Sequence, residues 1–195
     1  SGITMCFANP GTSEMQMVAA LGAQDQVRPV LGLFEGVVTG AADGYFRIKG
    51  TPAATLLHLG PGLANGLSNL HNAKRARSAI VNIIGDHALF HRALDAPLTS
   101  DIETVAKPFS KWIRTTESIH GASEDLVAAI KASQSGVPGP VSLILPADIA
   151  WTDGAPSSRC APMPARPKAD KAKVSAIAKR VVAAGANAML LLGGF

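Results

Sequence analysis

The sequence predicts an α/β fold, a doubly wound parallel sheet of six strands flanked by helices. Three observations carry this expectation. Short apolar runs alternate with stretches of helical periodicity along most of the chain. The inner runs, such as Ala79-Ile80-Val81-Asn82-Ile83-Ile84, are apolar at nearly every position, as strands covered on both faces require. The 195 residues are 47% hydrophobic and only 16% charged, a composition that builds a core rather than a disordered chain.

Strands are expected at residues 3–8, 29–34, 53–58, 79–84, 110–114 and 141–145, where β-branched and aliphatic residues cluster between Gly, Pro and Asn. Helices are expected at 13–21, 36–48, 63–74, 101–106 and 123–135, where apolar residues recur every three or four positions. Strand-to-helix alternation of this kind winds helices over both faces of one sheet. Pro138, Pro140 and Pro146 punctuate the last strand.

Composition changes near Trp151. The stretch 151–170 is rich in Pro and small residues and reads as an extended linker. Residues 171–184 then resume a helical pattern, and 188–192 read as a strand. The expected domains are therefore 1–150, with the linker 151–170 and the start of a second α/β domain at 171–195. Both ends fall against expected strands, so the sequence reads as a piece of a longer polypeptide, with a first helix expected ahead of residue 1.

Net charge is +4, and the basic residues gather late, at Arg159, Arg166, Lys168, Lys171, Lys173, Lys179 and Arg180. No aromatic residues interleave with them, so nucleic acid is not an expected partner. No run is long and apolar enough for a membrane span. Cys6 and Cys160 are the only cysteines and have no metal or redox spacing, which points to a reducing, cytoplasmic setting.

Glu35 is the leading site candidate. It stands where an apolar run, Val30-Leu31-Gly32-Leu33-Phe34, meets a helix start. A carboxylate there can cap the first turn or exchange a proton with a ligand. Gly36, Gly40 and Gly44 follow at spacings of four and share one helix face. Each costs about 1 kcal/mol relative to Ala, so the face is expected to admit another backbone, a flat ligand or tight packing on the sheet.

Three further segments follow strand ends. In Asn9-Pro10-Gly11-Thr12-Ser13-Glu14, Pro-Gly makes the turn, Thr12 or Ser13 can cap, and Gln16 takes the capping-box position after Ser13. In His58-Leu59-Gly60-Pro61-Gly62-Leu63-Ala64-Asn65-Gly66 a turn approaches the dinucleotide fingerprint, with Asp86 downstream. Asn65 replaces the third glycine, and Pro61 lacks a backbone donor. His58 is either a proton shuttle or a hydrogen-bonded core histidine. In Gly85-Asp86-His87-Ala88-Leu89-Phe90-His91 two histidines stand four apart without a third ligand, so metal is not expected. The connection 86–100 is long enough to line a site. A Ser-His-Asp hydrolase lacks its Gly-x-Ser-x-Gly elbow.

Taken together, these motifs resemble the pyrimidine-binding N-terminal domain of thiamine-diphosphate-dependent enzymes, in the branch of benzoylformate decarboxylase and acetolactate synthase. The resemblance runs from residue 3 to about residue 153. It rests on the Asn9-Pro10-Gly11 turn, on Glu35-Gly36-Val37-Val38-Thr39-Gly40-Ala41-Ala42-Asp43-Gly44-Tyr45, on Gly60-Pro61-Gly62 followed by Asn65, and on Lys107-Pro108-Phe109-Ser110-Lys111-Trp112.

The resemblance implies an enzyme that decarboxylates or condenses 2-oxo acids with thiamine diphosphate. Glu35 would activate the aminopyrimidine for ylid formation, with Pro10, Gly11, Gly62 and Asn65 around the cofactor. His58 would relay protons, and Thr12 would stand where the branch has a substrate-binding serine. His91 lies where related decarboxylases carry a His-His pair, although Phe90 replaces one member. Mg²⁺ and the diphosphate would be held by a Gly-Asp-Gly motif in a domain this chain lacks, and Gly85-Asp86-His87 is not that motif. The active site would form between subunits of a homodimer or tetramer, and the chain alone would be inactive. Two readings from other classes stand beside this one: a nucleotide-dependent oxidoreductase using the 60–66 turn, and a non-catalytic domain whose glycine face packs a partner helix.

Overall fold

Six strands, β1 (Met5–Asn9), β2 (Arg28–Leu31), β3 (Ala53–Leu57), β4 (Ile80–Asp86), β5 (Ile113–Thr115) and β6 (Pro140–Pro146), form one sheet. Their order is β2-β1-β3-β4-β6-β5, and every neighbouring pair is parallel. The computed structural model describes residues 2–159 and 168–191. The chain divides into two compact units, Ser1–Ala161 and Pro162–Phe195.

Burial grades from the centre of the sheet outward. β3 is buried at all five positions, whereas edge strands β2 and β5 hold no buried residue. Side chains alternate between two helical layers, as period-two strands require. Ile80 and Ile84 of β4 pack with α2 (Glu35–Lys49), α3 (Leu59–Ala76) and α4 (Ile102–Ala106) through Val38, Leu63, Leu70 and Ile102. Val81 faces the opposite layer, with Ala129 and Ile130 of α5 (Ile119–Gln134). Cys6, Ala8 and Leu56 meet Met17, Val18 and Leu21 of α1 (Met15–Gly22). The doubly wound expectation is met: α1 and α5 cover one face, and α2, α3 and α4 the other.

Winding changes direction between β1 and β3. From β1 the chain passes outward to β2, and from β3 it passes the other way to β4. In open parallel sheets the crevice at the carboxyl ends of two such strands is where ligands sit. Gly11 follows β1, and His58 follows β3.

Several boundaries differ from the sequence reading. β2 stops at Leu31 rather than 34. The chain leaves the edge through Leu33, 89% exposed, before α2 begins at Glu35. β5 begins at Ile113, although its first bond to β6 is already made by Lys111 N to Pro140 O at 2.9 Å. α3 begins at Leu59, four residues early. Pro61 falls in the first turn, where its missing N–H is not needed. Leu59 makes the sharp reversal itself, with φ +51°, a left-handed conformation that a branched side chain adopts only under constraint. The sequence reading did not expect the short α6 (Ala147–Trp151) after β6.

In the second unit α7 (Lys171–Ala184) has the expected bounds. Asp170 Oδ1 caps it by accepting from Ala172 N at 2.8 Å and Lys173 N at 3.2 Å. Residues 188–191 form no strand; Leu192, and Cys160 in the linker, lie outside the described residues.

Candidate functional site

The turn after β1 places a carboxylate that the sequence reading passed over. Glu14, not Gln16, reaches back to the chain: Gly11 N–H donates to Glu14 Oε2 at 2.7 Å. Gly11 is the residue before the short 3₁₀ turn Thr12–Glu14. With no side chain at Gly11, only this half of a capping box can form. Neither Thr12 nor Ser13 caps the turn. Glu14 is fully buried.

His58 closes the site from the neighbouring strand. Its Nδ1 lies 2.8 Å from the same Glu14 Oε2, and a quarter of its side chain remains exposed. A Cβ on Gly11 would stand 2.3 Å from His58 Nδ1. The close approach of β1's turn to β3's histidine therefore needs glycine.

Glu35 begins α2 and is 8% exposed. Asn65, on α3, donates Nδ2 to Glu35 Oε2 at 3.0 Å, while Oε1 accepts no hydrogen bond from the described residues. Gly62, in the first turn of α3, lies against both acidic and basic groups. A Cβ there would meet Glu35 Oε1 at 3.2 Å and His58 Cβ at 3.5 Å. The structure thus brings together Gly11, Glu14, Glu35, His58, Gly62 and Asn65. The α2–α3 seam that fixes Glu35 is stitched by Thr39 Oγ1, which donates to Glu35 O and to Gly66 O, each at 3.0 Å.

Of the uses open to the α2 glycines, close packing within the fold is seen at Gly40. A Cβ on Gly40 would stand 2.9 Å from Asn69 Nδ2, and Asn69 in turn donates to Gly36 O at 2.7 Å. Gly36 lies under the ring of its own neighbour Phe34, and Gly44 has open space. At Gly40 the face accommodates α3.

The side chains of the other candidates make no hydrogen bond to this group among the described residues. Thr12 is exposed in the 3₁₀ turn. His91 packs edge-on against His87, with ring centroids 5.5 Å apart. Asp86 is committed to an ion pair with Arg92 and to the backbone N–H of His87. Among the described residues, no group of three or more His, Cys, Asp and Glu gathers to hold a metal. No helix among them is long and apolar enough to cross a membrane. Gly60, Pro61 and Gly62 are helical, and the residue opening their turn is Leu59. The 60–66 stretch is therefore not the glycine-rich loop that a dinucleotide phosphate needs.

Comparison with known proteins places the chain in a family. A 32% identical relative is the benzoylformate decarboxylase of Pseudomonas aeruginosa, aligned over 80% of this chain and 29% of that protein. At 55% identity over 193 residues, 99% of this chain aligns with 37% of "Putative acetolactate synthase large subunit IlvX" of Mycobacterium tuberculosis. The solved thiamine diphosphate-dependent 4-hydroxybenzoylformate decarboxylase of Rhodococcus jostii superimposes with TM-score 0.83 at 26% identity, over 93% of this chain and 35% of that one. The chain spans little more than a third of the length of these relatives at most. Residues 1–103 match the family model described as thiamine pyrophosphate enzyme, N-terminal TPP binding domain. With half the chain covered by that model, and the sheet and strand-end residues arranged as described, the chain belongs to the thiamine pyrophosphate enzymes, as their N-terminal TPP binding domain.

Proposed function

We propose that this chain supplies the proton-handling half of an active site that decarboxylates or condenses 2-oxo acids with thiamine diphosphate. The observation that carries the reading is Glu35 itself. It is buried at a helix start, held by Asn65 through Oε2, and left free by the described residues at Oε1, beside a residue without a side chain. Such a carboxylate fits the ring nitrogen of an aminopyrimidine, and the bare flank of Gly62 gives a flat ring room to approach. When bound, the cofactor supplies an electron sink for the carbanion left by loss of CO₂.

The remaining roles fall to the chain's own groups. Glu35 Oε1 would share a proton with the ring nitrogen. His58, partly exposed at the crevice, takes up or delivers a proton at the substrate through Nε2. Pro10, Gly11, Gly62 and Asn65 would line the cofactor, and Thr12 would offer a hydroxyl to the substrate. His91 is a second proton-handling group on the 86–100 connection. Asp86 is already paired with Arg92, and the diphosphate and Mg²⁺ would be held by residues outside this chain.

Leu31, Leu33, Phe34 and Val37 surround the start of α2, and each is at least half exposed. An apolar collar of this kind beside Glu35 suits burial by a second subunit, so the working enzyme is a homo-oligomer. The buried free thiol of Cys6 suits a reducing cytoplasm. The chain resides there without nucleic acid or membrane as partner.

The test is CO₂ release or carboligation from a panel of 2-oxo acids by the complete protein. Turnover that requires both thiamine diphosphate and Mg²⁺ supports the reading. No cofactor-dependent turnover, together with tight NAD(H) binding in a fluorescence titration, contradicts it.

A further inference from the structure

Glu14 is a fully buried carboxylate that no role above uses. A buried acid is costly unless its oxygens are satisfied, and an apolar residue would fill the same space without that cost. Oε2 accepts from Gly11 N–H at 2.7 Å and faces His58 Nδ1 at 2.8 Å. Oε1 is buried without a partner among the described residues. Two glycines clear the space for this pair. A Cβ on Gly85, near the end of β4, would fall 1.6 Å from Glu14 Oε1, and one on Gly11 would crowd the imidazole. Capping the turn would need neither the histidine nor Gly85.

We propose that Glu14 is the positioning residue for His58. It fixes the ring's orientation and, when the ring is neutral, keeps its one N–H proton on Nδ1. That leaves Nε2, which makes no hydrogen bond to the described residues, as a bare acceptor for a ligand's proton. As a carboxylate Glu14 can only accept, so the proton in the Glu14–His58 contact belongs to the imidazole nitrogen. A buried carboxylate that selects a tautomer in this way is a recurring device where a histidine must accept protons through its other nitrogen. The inference deepens the proposed function, because it rests on His58 handling protons there.

Long-range ¹H–¹⁵N correlation on the complete protein, labelled with ¹⁵N-histidine, reads the tautomer directly. His58→Asn assigns the signal. Above the pH at which the His58 signal stops moving, the expected result is a protonated Nδ1 and an unprotonated Nε2. In Glu14→Gln the Nε2-protonated form should grow to a comparable share, and kcat should fall by about ten- to a hundredfold with KM little changed. A wild-type His58 protonated on Nε2 overturns the proposal, and this measurement needs no variant to fold. So does an unchanged tautomer in folded Glu14→Gln. A shifted tautomer with unchanged kcat upholds the Glu14–His58 link and instead removes His58 from the proposed chemistry.

Discussion

Asn65 Nδ2 donates to Glu35 Oε2 at 3.0 Å, tying the exposed face of α3 to the first residue of α2. Because Asn65 is exposed, its loss should hardly touch the fold. Asn65→Ala is expected to change stability by less than about 1 kcal/mol. The freed carboxylate then samples other rotamers, and kcat of the complete enzyme should fall by roughly ten- to a hundredfold. Urea unfolding and steady-state kinetics on the same preparation separate the two effects.

Gly62→Ala tests the space beside Glu35. Within a helix this change ordinarily stabilises by up to about 1 kcal/mol. The added methyl would stand 3.2 Å from Glu35 Oε1, closer than comfortable contact, on the side left for the ring. The expected outcome is unchanged or raised Tm with cofactor affinity lowered at least about tenfold. Calorimetric titration of the complete protein with thiamine diphosphate and Mg²⁺ checks it.

How much of this was legible beforehand differs residue by residue. The strands of the sheet follow from their apolar runs, and the buried centre from the uninterrupted Ala79–Ile84 pattern, because a parallel sheet covered on both faces leaves that trace. Glu35, Gly62 and Asn65 were legible because they lie in recognisable motifs. Glu14 was not. An acid in the first turn after a strand reads as a cap, and the partner that changes its meaning, His58, is 44 positions away. The one available signal was a glycine at each end of the contact, Gly11 and Gly85. Neither means anything until β1, β3 and β4 are set side by side. Which of its open uses the α2 glycine face serves was not legible for the same reason: the neighbour of Gly40, Asn69, comes from a separate helix.

Asp43 anchors the second half of α2. Its Oδ1 accepts from the fully buried Ser78 Oγ at 2.5 Å, and both oxygens bind Arg47. The Arg47 pair is half exposed and contributes little. Asp43→Ala would leave Ser78 buried without this partner, so the expected loss is about 2 kcal/mol. Arg47→Ala should cost less than about 1 kcal/mol. Equal losses from the two changes in denaturant unfolding would contradict this division.

Burial pushes the Cys6 thiol up to about 11 from its ordinary value of 9.0. Between those values the unfolded chain has released a proton that the folded chain keeps. Stability is therefore unaffected by Cys6 below pH 9 and falls as pH rises toward 11, by about 2 kcal/mol at the upper end. Cys6→Ala should remove this part of the pH slope, measured by urea unfolding across the alkaline range. Equal slopes in the two proteins would contradict the burial argument.

Glu35 is the centre of the account, and one substitution isolates it. Glu35→Gln keeps the shape and the Asn65 contact while removing the group that shares a proton with the ring. In the complete enzyme, turnover of a 2-oxo acid should fall by about 10² to 10⁴, with the circular dichroism spectrum and Tm preserved. Near-wild-type turnover in a folded Glu35→Gln protein would contradict the assignment.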